Sequence, residues 1–162
     1  VKDYGHLLRL DKAYAEKARR IADLARDPVE VVADEWRQIA PIVAMDQGPL
    51  RVAFQSPCTL QHGMKLKGAV EEILLALGFE MTPVADAHLC CGSSGTYSIL
   101  QPELSGRPKA NKLAALTAGH PEVIASANIG CNTHLAGASE LPVRHWIELL
   151  DARMLGGERA PR

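Results

Sequence analysis

The chain has almost no net charge. Its 18 Lys and Arg against 19 Asp and Glu leave a formal −1. That balance argues against nucleic acid as a main partner, because neutralising phosphates takes a basic face. No run of about 18 apolar residues occurs, so nothing in the sequence reads as a membrane span. The basic, apolar and small-residue succession of a signal peptide is missing too. No internal repeat is present, and Asp46, Asp86, Glu122 and Glu140 form no carboxylate pair suited to acid–base work. A glycine-rich stretch exists, but no Gly-Lys-Ser/Thr follows it, so it is not a P-loop.

What is present begins with size. A length of 162 residues, 47% of them hydrophobic, suffices for one domain with a real core and is too apolar for disorder throughout. The chain opens at Val1 and enters a helical pattern at once, which leads us to expect a fragment of something longer. Over the first 45 residues the pattern is helical, with Tyr14, Ala18, Ile21, Ala22 and Ala25 on one stripe. Asp27-Pro28 has the form of an N-cap followed by proline at the first helical position. A second helix then runs through Val31, Val32, Glu35 and Trp36 to about Pro41, and Asp46-Gln47-Gly48-Pro49 reads as a turn.

From Leu50 strands and helices alternate. Strands are expected at 51–55, 80–84 and 123–127, with a small fourth at Val143. Helices are expected from Leu66 to Leu77 with Gly78 as C-cap, near 97–100, from Pro102 to about Gly119, briefly after Cys131, and from Trp146 to Met154. Repeated strand–helix units predict an α/β fold: a small, mainly parallel sheet with helices on both faces, Rossmann-like, preceded by an N-terminal helical segment. The expected division is an N-terminal segment 1–45 packed on the core, a cysteine-rich α/β domain 50–155, and a frayed tail 156–162.

The four cysteines carry the chemistry. Cys58, Cys90, Cys91 and Cys131 occur in the settings SPC, HLCCGSSGTY and ANIGCNTH, each after a short apolar run. If those runs are parallel strands, all four thiols arrive at the carboxyl edge of one sheet, the usual ligand position of such folds. Thiolates gathered at one point suit an iron–sulfur cluster or zinc. The competing readings are buried free cysteines, a Cys58–Cys131 disulfide, and a thiol redox enzyme using the adjacent pair. A disulfide within that pair would strain the peptide. Gly92, Ser93, Ser94 and Gly95 form a small-residue turn whose backbone amides can face an anion or a sulfur. His134, three residues after Cys131, has the spacing of a ligand pair. His62 and His88 lie near other cysteines and carry less weight, and His6, His120 and His145 read as surface residues. A Cys–His hydrolase remains conceivable, though no feature designates a nucleophile and its base.

The succession SPC-x31-CC-G-x38-C-x-x-H resembles the cysteine-rich CCG domain of heterodisulfide reductase and related iron–sulfur subunits. That family's pattern ends in a fifth cysteine, whereas here the position holds His134. CCGSSGTYSILQPELS, NKLAAL, ANIGCNTHL and VRHWIELLDARM are similar to the C-terminal part of the glycolate oxidase iron–sulfur subunit family, and VKDYGHLL to the segment joining that family's two cysteine-rich repeats. The resemblance implies an electron-transfer domain of an FAD-linked glycolate dehydrogenase, not catalytic alone. It would relay electrons from flavin-containing subunits toward a membrane acceptor. It also implies metal ligands at Cys58, Cys90, Cys91 and Cys131, with His134 in the fifth place, and a cluster of the four-iron, four-sulfide (4Fe-4S) type that an isolated fragment can lose. Implied partners are the flavin subunits and the same subunit's ferredoxin-like and first cysteine-rich domains. The implied location is cytoplasmic, peripheral at the inner face of the plasma membrane. The alternative is a structural or docking module with a zinc or an empty cysteine site.

Overall fold

The computed structural model describes residues 1–43 and 48–154. Asp46 and Gln47 of the expected turn, and the expected tail from Gly156, lie outside the described residues. The chain divides into two compact units, Val1–Ile39 and Ala40–Arg162.

The first unit is helical: α1 (Tyr4–Leu7), α2 (Ala15–Leu24), α3 (Pro28–Asp34) and α4 (Trp36–Ile39). The expected cap is present in full. The Asp27 carboxylate accepts from the Val29 N–H at 3.0 Å, and Glu30 reaches back to the Asp27 N–H at 2.7 Å. This reciprocal arrangement satisfies donors that a helix start leaves without partners. The single long helix expected here is broken after Asp34 and continues as α4 and a 3-10 turn, Ala40–Ile42. Pro41 explains the tightening, since it offers no N–H to an α-helical ladder. Within the α2 stripe Ala18 is buried, while Tyr14 and Ile21 stay exposed.

The second unit is built on a four-stranded sheet. Its strands are β1 (Arg51–Gln55), β2 (Glu80–Met81), β3 (Val123–Ser126) and β4 (Val143–His145), in the order β2-β1-β3-β4. Every pairing is parallel, so this is the α/β architecture the alternating pattern implies. Val52 opposes Val123 and Phe54 opposes Ala125, which aligns the carboxyl ends of the two central strands. Both read as unbroken apolar runs because both faces are covered. Val52, Ala53, Ile124 and Ala125 have no exposed surface. The helices α5 (Ala69–Ala76), α6 (Tyr97–Leu100), α7 (Pro102–Thr117), α8 (Ile129–Ala136) and α9 (Trp146–Met154) complete the unit. Of these, α5, α7, α8 and α9 each touch a strand.

Apart from shifts of a residue or two at the ends of β3 and α7, three elements of this unit differ from the sequence expectation. β2 stops at Met81 rather than Val84: Thr82 N–H still bonds Val52 at 2.9 Å, but Pro83 has no donor to extend the ladder. α5 begins at Ala69 rather than Leu66, because Gly68 takes a left-handed φ of +81° at its N-cap. Cys131 lies within the first turn of α8, not before it. Gly78 terminates α5 as expected, with φ +78°.

Candidate functional site

All three cysteine settings follow the carboxyl ends of sheet strands. Cys58 comes three residues after β1 and precedes a wide, π-type turn, Thr59–Gly63. The pair Cys90-Cys91 ends the long connection from β2. Cys131 is placed by α8, whose N-cap Asn128 accepts the Gly130 N–H at 2.9 Å and the Cys131 N–H at 3.2 Å. A residue able to cap after a strand is what sets this cysteine in the first helical turn.

The four thiols form a chain of neighbours. Cys91 Sγ lies 3.0 Å from Cys131 Sγ. Cys58 is coupled by charge to Cys90 and then to Cys91. All four are free thiols, so no disulfide links Cys58 to Cys131. Cys91 and Cys131 are buried and belong to a core cluster with Ala53, Leu116, Ile124 and Leu135, whereas Cys58 and Cys90 are exposed. The site thus runs from the core to the surface.

Their protonation follows from this geometry. The hydrogen bond with Cys131 brings Cys91 down to about 6, against the opposing effect of burial and with help from the Ser93 backbone. Cys131 is pushed far up because its proton is held by Cys91, and burial adds to this. Burial, then the neighbouring Cys90, raises Cys58.

The turn after the pair is shaped by positive φ at Gly92 (+85°), Ser94 (+38°) and Gly95 (+61°). The Gly92 N–H donates to Cys90 Sγ at 3.3 Å. Gly92 also passes close to α7: a Cβ there would stand 2.5 Å from the Ser105 carbonyl oxygen and 3.0 Å from the Pro108 ring. Two of the four small residues thus direct backbone toward sulfur. Ser94 and Gly95 shape the turn, and a Cβ on Gly95 would meet nothing within 4 Å.

His134 abuts this turn. Its buried Nε2 has no hydrogen-bond partner among the described residues and lies 3.4 Å from where a Gly92 Cβ would be. Burial, then Lys109, lowers its pKa, and the Ser105 backbone offsets this in part. His62 and His88 are exposed. Glu122 is occupied at the far strand end, accepting the Arg51 N–H at 3.0 Å.

A polar layer beneath the cysteines escaped the sequence analysis. Ser126 donates to Gln55 at 2.5 Å, and Gln55 donates to the Ser56 carbonyl at 3.1 Å. Gln61 donates to the same carbonyl at 2.7 Å and to Ala87 at 3.3 Å. Lys112 is fully buried and donates to Ala87 at 2.8 Å. The available signal was a polar residue closing each apolar strand, Gln55 and Ser126. On α7, Ser105, Lys112 and Leu116 share one face by their spacing of seven and four.

Four thiols are a soft donor set of the kind that iron–sulfur clusters use. Among the described residues no group of three or more His, Cys, Asp or Glu side chains is placed to hold a metal ion.

The sequence pattern of the CCG cysteine-rich domain family matches residues 52–136. The chain belongs to this family. The match takes in all four cysteines, β3 and all but the first residue of β1. Among curated proteins, the chain is 50% identical over 151 residues to the glycolate oxidase iron-sulfur subunit of Escherichia coli (strain K12), covering 93% of this chain and 36% of that one. It is 30% identical over 131 residues to the probable glycolate oxidase iron-sulfur subunit of Bacillus subtilis (strain 168), covering 80% and 29%. Lactate utilization protein A of Bacillus licheniformis is 25% identical over 158 residues, covering 94% and 65%. The chain therefore spans between about a third and two thirds of these relatives' length. Among the described residues, no helix is long and apolar enough to cross a membrane.

Proposed function

We propose that this chain is an iron–sulfur electron-transfer domain of a glycolate-oxidising complex. The observation that carries the reading is the convergence of Cys58, Cys90, Cys91 and Cys131 at the carboxyl edge of a parallel sheet. The similarity to proteins named as glycolate oxidase iron-sulfur subunits supports the choice of complex. Cys58, Cys90, Cys91 and Cys131 hold the cluster, of the 4Fe-4S type, and His134 offers a fifth donor from beside Gly92. When bound, such a cluster accepts and releases single electrons at a potential set by its ligands and surroundings. This chain's own residues hold the sulfurs in place, donate backbone N–H groups to them, and bury one side of the site. Flavin chemistry on glycolate belongs to partner subunits, and this domain passes electrons onward to a membrane acceptor. The N-terminal unit, which contains no cysteine, supplies no ligand.

Exposed Ile99 and Leu100, after the Cys90-Cys91 turn, and Ile129, two residues before Cys131, support a protein-facing site edge. The test is the iron, zinc and acid-labile sulfide content of protein purified without oxygen, beside a Cys91→Ser variant. Iron and sulfide in equal amounts, lost in the variant, are expected. Zinc without sulfide, or iron retained by the variant, would overturn the reading.

A further inference from the structure

Lys112 has no exposed surface, although lysine is almost never fully buried unless paired. Taking an ammonium out of water is costly, and the cost is recovered only near an opposite charge or through strong hydrogen bonds. Among the described residues its one hydrogen bond is to the neutral Ala87 carbonyl, at 2.8 Å. Among the described residues no carboxylate forms an ion pair with it. Burial lowers its pKa, and the four cysteines oppose this, Cys91 most strongly, then Cys58, Cys131 and Cys90.

Its one carbonyl partner is also informative. Ala87 precedes Cys90 by three residues, and its oxygen accepts as well from Gln61, three residues after Cys58. Lys112 thus fastens helix α7 to the point where two cysteine loops meet. Neither the parallel sheet nor the apolar core requires a charge here. A Leu or Met on the same face of α7 would pack without desolvating an ion.

We propose that Lys112 is the positioning residue and buried counter-charge of the four-cysteine site. The inference rests on the cluster reading above and deepens it. A fixed positive charge beside the sulfurs favours the more negative of two oxidation states, so it raises the reduction potential of a bound cluster.

The test compares wild type, Lys112→Met and Lys112→Arg in the full chain. In protein reconstituted with iron and sulfide, Lys112→Met should have a more negative reduction potential, and Lys112→Arg should stay near wild type. In metal-free protein, the melting temperature of Lys112→Met should hold or rise. An unchanged potential in iron-loaded protein, or an Arg variant that shifts as far as the Met variant, would overturn the counter-charge role alone. A Met variant that does not fold overturns it too, since the ammonium would then serve the fold. If wild type takes up no iron, the cluster reading fails and the counter-charge role falls with it.

Discussion

Replacing Gly92 by alanine tests how tightly the cysteine turn is seated on α7. Two costs add. At φ +85° an L-residue meets its own backbone, which costs about 1–2 kcal/mol. The new Cβ would also stand 2.5 Å from the Ser105 carbonyl oxygen and 3.0 Å from the Pro108 ring. Both obstacles are rigid, one being helix backbone and the other a closed ring, so relief needs a shift of the turn or the helix. Overpacking of this kind costs about 1–3 kcal/mol. The sum is about 3 kcal/mol, or about 6–12 °C in melting temperature for a chain of this size. Gly95→Ala is the internal control: φ is +61°, but the added Cβ meets nothing within 4 Å. Only the backbone cost applies there, about 1–2 kcal/mol. Thermal unfolding of the two metal-free variants beside wild type is the assay. The Gly92 variant should lose about twice as much as the Gly95 variant, and it should also retain less iron, because the Gly92 N–H donates to Cys90 Sγ. Equal losses in the two variants would refute the close approach.

Three further outcomes are expected. Asn128→Ala removes the cap that holds the Cys131 backbone, costing about 1 kcal/mol in denaturant unfolding and lowering iron retention. Glu71 has a buried, unpartnered Oε2, and burial raises its pKa. A carboxyl raised on folding stabilises fully below its unfolded pKa, and that contribution is lost as pH rises through the folded value. Glu71→Gln should therefore stabilise at pH 7, by no more than about 1 kcal/mol because the side chain is partly solvated, and the gain should vanish on acidification to below pH 4; a pH-independent gain would contradict this. His134→Cys should lower the reduction potential of a bound cluster, since thiolate brings negative charge where imidazole brings none. If potential, spectrum and metal content all stay unaltered, His134 is a bystander.

Much of the architecture was legible in the residues alone. RVAFQ and the run through VIAS are apolar enough to be read as strands buried on both faces, and they form the two central strands. Asp27-Pro28 announced its cap, and Gly78 its helix end, because the backbone conformations involved are ones that few residue types favour. The four cysteines identified themselves by chemistry and by their place after strands. Other features needed the folded chain. Pro83 cut β2 short where the pattern allowed three more residues, a matter of one missing donor at a sheet edge. The wide turn at Thr59–Gly63 has no periodic signal. Lys112 stands in a helix like any solvated lysine, and Gln61 in a loop like any polar residue, yet both are buried on the Ala87 carbonyl. Periodicity records which side of an element is apolar, because that depends on neighbours a few residues away. Which polar groups are buried together, and how one thiol lowers another, depends on loops from distant parts of the chain meeting at one sheet edge, and only the tertiary structure decides that.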